Sequence, residues 1–424
     1  MLQVNILRED KQRVITGLEK RGIRNANELI STVIKHDDLR KDAQRQLDEL
    51  KSKANAASRT IGELMKAGKS QEANALKEEV AGNRNEIKAL EEQMASASEA
   101  MTKALYAIPN VPQEKVPAGG GSADNIVVHQ HGVIPTLHSG ALPHWELIKK
   151  FDIIDFELGI KISGAGFPVY KGKGAKIQRA LINFFLDQAS QAGYREIQPP
   201  IVINEASGYG TGQLPDKEGQ MYHVSADNLF LIPTAEVPIT NLYRDMILAD
   251  KDLPVKNAGY TPCFRREAGS WGAHVRGLNR LHQFDKVEIV QIQKPSDSSA
   301  ALEQMCAYVQ GLLEKLELPY RKLLLCGGDM GFNSAITYDM EVFSAAQQMW
   351  LEVSSVSNFE TYQANRLKLR YKNQEGKTEL LHTLNGSALA LPRILASILE
   401  NNQAQDHIKV PAVLVPYTGF DRID

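Results

Sequence analysis

Pro262-Cys-Phe-Arg-Arg-Glu-Ala-Gly-Ser270, followed by Arg276-Gly-Leu-Asn-Arg280 and Leu281-His-Gln-Phe-Asp-Lys-Val-Glu288, is the densest polar cluster in this chain. Two strand-like segments flank a loop rich in glycine and arginine, the pattern of an antiparallel pair. Arg265, Arg266, Arg276 and Arg280 can clamp a polyanion, and Phe284 can stack a base. A solvated hairpin loop with ion pairs fits this segment equally well.

Working outward, the texture on both sides is mixed. Gly166-Phe-Pro-Val-Tyr170 reads as a strand, and residues 175–192 as an amphipathic helix with Ile177, Leu181, Phe184 and Phe185 inward and Gly193 as its cap. Residues 196–203 read as one strand that Pro199 and Pro200 restrict to an edge or interface. Further strands are expected at 228–232, 286–293, 321–326, 340–343, 348–353 and 377–384. Pro392 suits the first turn of a closing helix with Ile394, Leu395, Ile398 and Leu399 on one face. Strands with short antiparallel links and a few long helices imply an α+β fold, not a doubly wound parallel sheet.

The N-terminal part obeys another period. Ala43, Leu47, Leu50, Ala54, Ala57, Ile61 and Leu64 alternate steps of four and three, as do Ala73, Leu76, Val80, Asn83, Ile87, Leu90, Met94, Ala97, Met101, Ala104 and Ile108. Heptads broken only by Lys66-Ala-Gly-Lys-Ser70 predict two helices folded back as an antiparallel coiled-coil hairpin projecting into solvent. Each should be on the order of 40–55 Å long, at about 1.5 Å per residue. Residues 1–36 are expected to form short helices at its base. Residues 35–69 carry nine Lys/Arg against six Asp/Glu, whereas residues 70–108 carry four against seven. The first helix is therefore cationic and could lie along a phosphate backbone, although an oligomerisation or spacer role also fits. Three prolines and Gly119-Gly-Gly121 then read as a linker. The domains expected are 1–108, a linker at 109–125, and 126–424.

At 424 residues the chain exceeds one compact core, and 43% apolar with 24% charged residues excludes wholesale disorder. A formal charge of -2 means that any nucleic-acid surface is a local patch. Cys263, Cys306 and Cys326 lie far apart with no CxxC pair, so a cysteine zinc site is not expected and a reducing, intracellular compartment is. No apolar run approaches a membrane span. There is no P-loop, no strand–GxGxxG–helix unit and no HExxH motif. His129 and His131, two apart, read as surface or packing residues.

Taken together, the segments resemble the seryl-tRNA synthetases, a branch of the class II aminoacyl-tRNA synthetases, along essentially the whole chain. The resemblance rests on the hairpin, Thr211-Gly-Gln-Leu-Pro215, Pro233-Thr-Ala-Glu236, Phe264-Arg-Arg-Glu-Ala-Gly269, Arg276-Gly-Leu278, His282-Gln-Phe284, Lys286-Val-Glu288, Cys326-Gly-Gly-Asp329, Thr337-Tyr-Asp-Met-Glu341, Glu352-Val-Ser-Ser355, and Thr383-Leu-Asn-Gly-Ser-Ala388 leading to Arg393. It implies a class II antiparallel sheet flanked by helices, with the segment from Lys176 through Pro200 at the interface of a homodimer. It also implies a cytoplasmic ligase that makes seryl-adenylate from L-serine and ATP and charges tRNA(Ser), with tRNA(Sec) an open second acceptor, gripped by the hairpin.

The same resemblance implies the site. Thr234, Ala235, Glu236, Glu288, Asn385 and Ser387 would read serine. Arg265, Arg266, Glu267, Arg276, Leu281, Phe284, Glu352, Val353, Ser354, Ser355 and Arg393 would hold ATP, with Arg265 and Arg393 catalytic. Arg265 would clamp the α-phosphate and the substrate carboxylate, Arg393 and Arg276 the γ-phosphate, and Glu267 the adenine or ribose. Phe284 and Arg393 would sandwich the adenine against Leu281. Glu352 and Ser355 would ligate Mg²⁺, an all-oxygen choice suited to a hard cation, with no zinc. Trp271 is a candidate cap over the site. A related ligase that loads a carrier protein would lack the hairpin, and an inactive relative would lack Arg265 or Arg393.

Overall fold

The computed structural model describes residues 1–267 and 275–424. These separate into two units, residues 1–19 with 23–109, and residues 20–22 with 110–424. The first is helical: α1 (Val4–Glu9), α2 (Lys11–Lys20), α3 (Ala26–Lys66) and α4 (Ser70–Tyr106). Helices α3 and α4 pair along their length as the heptads require, with Ala43, Leu47 and Leu90 buried in the seam and Leu50, Ile87 and Met94 against them. Gly68, at φ +77°, makes the reversal, a conformation that costs glycine least.

Helix α3 is longer than expected. It has 41 residues, on the order of 60 Å at 1.5 Å per residue, because it starts at Ala26 and not near residue 37. Nothing between those positions breaks a helix, and Ile30, Val33 and Asp37 continue the buried stripe. The buried Asp37 is ringed by Arg8 (2.7 Å), Arg40 (2.8 Å) and Lys41 (3.0 Å). Burial works to raise its carboxyl, but these cations outweigh it and bring it down to about 2.

The second unit is built on an eight-stranded sheet. In chain order its strands are β1 (Ile126–His131), β2 (Arg195–Glu196), β3 (Val255–Phe264), β4 (Gln283–Gln293), β5 (Tyr320–Leu324), β6 (Ile336–Ser344), β7 (Met349–Asn358) and β8 (His382–Ala390). Their spatial order is β1-β5-β6-β7-β8-β4-β3-β2, antiparallel throughout except for β2 against β3. Flanking it are α5 (His144–Lys150), α6 (Gly172–Gln191), α7 (Glu236–Asn241), α8 (Ser298–Lys315), α9 (Thr361–Leu367) and α10 (Leu391–Asn401). This is the expected α+β architecture. Its core joins Phe185 and Leu181 of α6, Val309 and Leu313 of α8, and Ile394, Leu395 and Ile398 of α10 to Val287, Ile289, Met340 and Val356 of the sheet.

Three local expectations change, the first being the strand at 377–384, which divides between Thr378–Leu380 in a three-stranded sheet and β8. Residues 196–203 are not one strand: Arg195–Glu196 and Val202–Asn204 belong to different sheets, because Pro199 and Pro200 cannot donate to a ladder. The Pro- and Gly-rich stretch is held in place, with Asn110 N–H donating to Phe332 O (2.9 Å), Gln113 N–H to Ala335 O (2.8 Å), and Val116 buried. Cys263, Cys306 and Cys326 are all buried free thiols. Among the described residues no helix is long and apolar enough to cross a membrane.

Candidate active site

Strand β4 supplies the floor of the site. Alternation puts Phe284, Lys286 and Glu288 on one face. Phe284 and Lys286 line a pocket with Arg265, Glu267, Leu281, Val353, Ser354, Glu352, Ser387 and Arg393, and Leu278 and Asn279 complete one wall. Residues up to 128 positions apart in sequence, Arg265 and Arg393, therefore share one cavity.

Arg265 follows directly on β3. Its N–H donates to His282 O at 2.9 Å, which continues the β3–β4 ladder one step beyond the strand. Its guanidinium lies 5.2 Å from the centre of the Phe284 ring, and Nε reaches Pro233 O at 3.4 Å. Among the described residues no carboxylate pairs with it, so its charge is available to a ligand. Glu267 takes φ +50°, an uncommon backbone for a side-chain-bearing residue. Its N–H is held by Gln220 Oε1 (3.1 Å) and its carboxylate by Arg280.

Behind Lys286 lies a buried polar cluster. Lys286 Nζ is ion-paired with Glu288 and donates to Thr234 Oγ1 at 2.8 Å. Thr234 Oγ1 accepts from Glu236 N–H (3.2 Å), which ties it to the head of α7. Glu236 Oε1 accepts from Gln363 Nε2 at 2.6 Å, and the same amide's oxygen accepts from Thr383 at 2.7 Å. Burial pushes the Glu236 carboxyl up to about 7, and the Glu288 charge adds to this, while Gln363, Lys286 and Asn385 oppose it. Two carboxylates face one ammonium. The cluster can take one further cation without excess positive charge.

The opposite wall depends on an irregularity. Residues three apart on a regular strand point to opposite faces, yet Ser355 Oγ donates to Glu352 Oε1 at 3.3 Å. The β6–β7 register explains this: Met340 pairs with Ser354 but Glu341 with Glu352, so Val353 is the extra residue of a bulge. Ser355 Oγ also reaches Asp339 Oδ1 at 2.6 Å. Burial pushes the Asp339 carboxyl well above the usual range, helped by the charges of Glu352, Asp329 and Glu341. Glu352, Ser355 and Asp339 thus form a crowded all-oxygen donor set in which only Glu352 has an ion-pair partner among the described residues, Arg393 at 3.6 Å, and oxygen donors of this kind suit Mg²⁺. Arg393, in the first turn of α10, donates from Nη1 to Glu352 O (2.7 Å) and from Nε to Asn279 O (3.0 Å).

Not every expected residue meets the pocket. Thr234, Ala235, Glu236, Glu288, Asn385 and Ser355 are not in its lining; Thr234 and Glu288 are joined to it through Lys286, and Ser355 through Glu352. Arg276 is held by Glu146 (3.2 Å) and lies over Trp145 (4.9 Å), outside the lining; Arg266 is exposed. Ser354 Oγ is spent on Ser387 O at 2.5 Å. Trp271 lies outside the described residues. Lys286 and Asp339 carried no assigned role in the sequence, although period-two spacing from Phe284 and Glu288 would have put Lys286 on the pocket face.

A pocket lined by Arg265 at the end of β3 and by Arg393 at the start of α10, on an antiparallel sheet, is the arrangement that the resemblance to the class II synthetases implies. The family model described as tRNA synthetase class II core domain (G, H, P, S and T) matches residues 222–402, and the one described as seryl-tRNA synthetase N-terminal domain matches residues 1–112. The serine–tRNA ligase of Salinibacter ruber is 48% identical over 100% of this chain and 99% of its own. The crystal structure of seryl-tRNA synthetase from Pyrococcus horikoshii complexed with ATP superposes with TM-score 0.92 at 30% identity, covering 100% of this chain and 99% of that one. The cytoplasmic serine–tRNA ligase of Naegleria fowleri in complex with AMP gives 0.87 at 25% identity, with coverage of 100% and 99%. The chain belongs to the seryl-tRNA synthetase family.

Proposed function

We infer that the chain is an ATP-dependent aminoacyl-tRNA ligase that activates L-serine and transfers it to tRNA. The observation that carries this is Arg265, which no carboxylate pairs with among the described residues, in a pocket whose Lys286 leads to a buried cluster with two carboxylates to one ammonium. A free amino acid offers a carboxylate and an ammonium on one carbon, matching the two. The serine carboxylate is already ionised at neutral pH, so activation needs alignment and charge neutralisation and no general base. Arg265 holds that carboxylate in line with the α-phosphorus of ATP. A carboxylate oxygen forms the new bond and pyrophosphate departs, its charge met by Arg393. Glu352 and Ser355, with Asp339 behind them, would hold Mg²⁺, which when bound neutralises phosphate oxygens. The terminal adenosine hydroxyl of tRNA then attacks the acyl carbon and AMP leaves.

Serine is read by groups that need a hydroxyl. An analogue without it forfeits a hydrogen bond that the groups around Thr234, Glu288 and Ser387 offer to substrate, a loss that can reject an analogue by roughly 10⁴-fold. In exchange of labelled pyrophosphate into ATP, serine is expected to be active and alanine silent, and equal activity with both would overturn the reading. Glu236 adds a pH signature. An ammonium beside it favours its charged form, so serine must bind with loss of the Glu236 proton. The kcat/KM for serine should climb from pH 6 to 8 with a midpoint near 7, and Glu236→Gln should flatten that rise. A midpoint unchanged by the substitution would assign the titration elsewhere.

The remaining parts of the reading follow. Residues 1–108 are the RNA-binding domain, 109–125 the connection and 126–424 the catalytic domain. The hairpin of α3 and α4 grips the long extra arm of tRNA(Ser), and tRNA(Sec) is a second acceptor. The cationic face of α3 supports a backbone and shape reader. A homodimer is supported by the exposed edge strand β1, where Ile126, Val127 and Val128 offer apolar surface to a second copy. Three free thiols fit the cytoplasm.

A further inference from the structure

A fully buried hydrogen-bonded pair reaches the ATP side of the pocket. Glu400, near the end of α10, and His144, at the start of α5, both have 0% side-chain exposure. Glu400 Oε1 accepts from His144 Nδ1 (2.6 Å), His144 N–H (2.8 Å) and Gln347 Nε2 (2.8 Å), and Oε2 accepts from Ser344. Leu278 N–H donates to His144 Nε2 at 2.8 Å. That donor requires Nε2 to be bare, so the ring proton sits on Nδ1 and points at Glu400. Gly277 has φ +65°, and a Cβ there would come within 2.3 Å of Nε2, so this backbone is pressed onto the imidazole.

A second arm runs from the same carboxylate. Gln347 accepts from Asn279 Nδ2 at 2.9 Å, and Asn279 O in turn accepts from Arg393 Nε at 3.0 Å. Both arms end on residues 278–279 and Arg393, and neither touches Lys286, Glu288, Thr234 or Glu236. A buried carboxylate is costly unless fully hydrogen-bonded, and here two of the residues that donate to it, His144 and Gln347, also fix the nucleotide wall.

We propose that the Glu400–His144–Gln347 network is a positioning device for the ATP half of the reaction, setting the Leu278–Asn279 wall and the Arg393 guanidinium while leaving serine recognition alone. This rests on the pocket being the ATP site. In serine-dependent ATP–pyrophosphate exchange, His144→Phe removes the acceptor for Leu278 N–H and should raise KM for ATP about tenfold, the effect of one unpaired buried donor, with KM for serine within about twofold of the parent. His144→Gln, whose carbonyl can take the place of Nε2, should recover most of the loss. Gln347→Leu, at a half-buried position, should raise KM for ATP in the same direction and keeps the test open if His144→Phe does not fold. Unchanged KM for ATP in folded variants, or equal rises for ATP and serine, would overturn the proposal. Absence of serine-dependent exchange in the parent chain would instead overturn the ATP-site reading.

Discussion

Arg265→Ala is expected to slow serine-dependent ATP–pyrophosphate exchange by roughly 10³-fold, about 4 kcal/mol of transition-state stabilisation, while moving the melting temperature little. The split follows from what the side chain touches. Its contacts with protein are a 3.4 Å hydrogen bond to Pro233 O and the Phe284 ring, whose loss costs on the order of 1 kcal/mol or less. Its task is a charge that appears only with substrate: two anions approach each other, the serine carboxylate and the α-phosphate, and one planar guanidinium can bridge both. Arg265→Lys keeps the charge without the fork and should recover only part of the rate. Stopped-assay rates and thermal melts on the same preparations check this, and a loss of stability that matched the loss of rate would make Arg265 a structural residue.

The second large effect concerns the hairpin. Removing its outer part, residues 48–89, and closing the gap with a glycine-containing turn should leave exchange near the parent rate and lower the rate of tRNA charging by on the order of 10²-fold or more, the scale of several lost phosphate contacts. The cut spares Arg8, Asp37, Arg40 and Lys41 at the base, where α1 packs on α3. Charging by the parent should weaken steeply with added salt, and the shortened chain should show a shallower slope. Equal charging by the two would remove the hairpin from RNA binding. A matching fall in exchange would show that the cut harms the catalytic unit.

How much of this was written in the sequence depends on range. Heptad spacing and Gly68 suffice for the hairpin, since coiled-coil contacts recur along the chain itself. The start of α3 was not legible, because that stretch is held by contact with α1, from which Arg8 reaches Ile34 O. Arg265, Glu288, Glu352 and Arg393 were marked by local motifs, yet their meeting around one site is set by strand order across the sheet. Glu352 and Ser355 share a face only because Val353 bulges, and a bulge leaves no local signature in Glu-Val-Ser-Ser. Asp339 gains its place by standing opposite Ser355. Glu400 and His144, far apart in sequence, carry no motif, and only the packing of α10 on α5 brings them together.

The most direct test is amino-acid-dependent incorporation of labelled pyrophosphate into ATP by the full chain with Mg²⁺ and without tRNA. The account predicts saturable incorporation with serine, a weaker signal with threonine, which only size excludes, and none with alanine or glycine. Incorporation that ignores which amino acid is added, or that fails with serine, would contradict it.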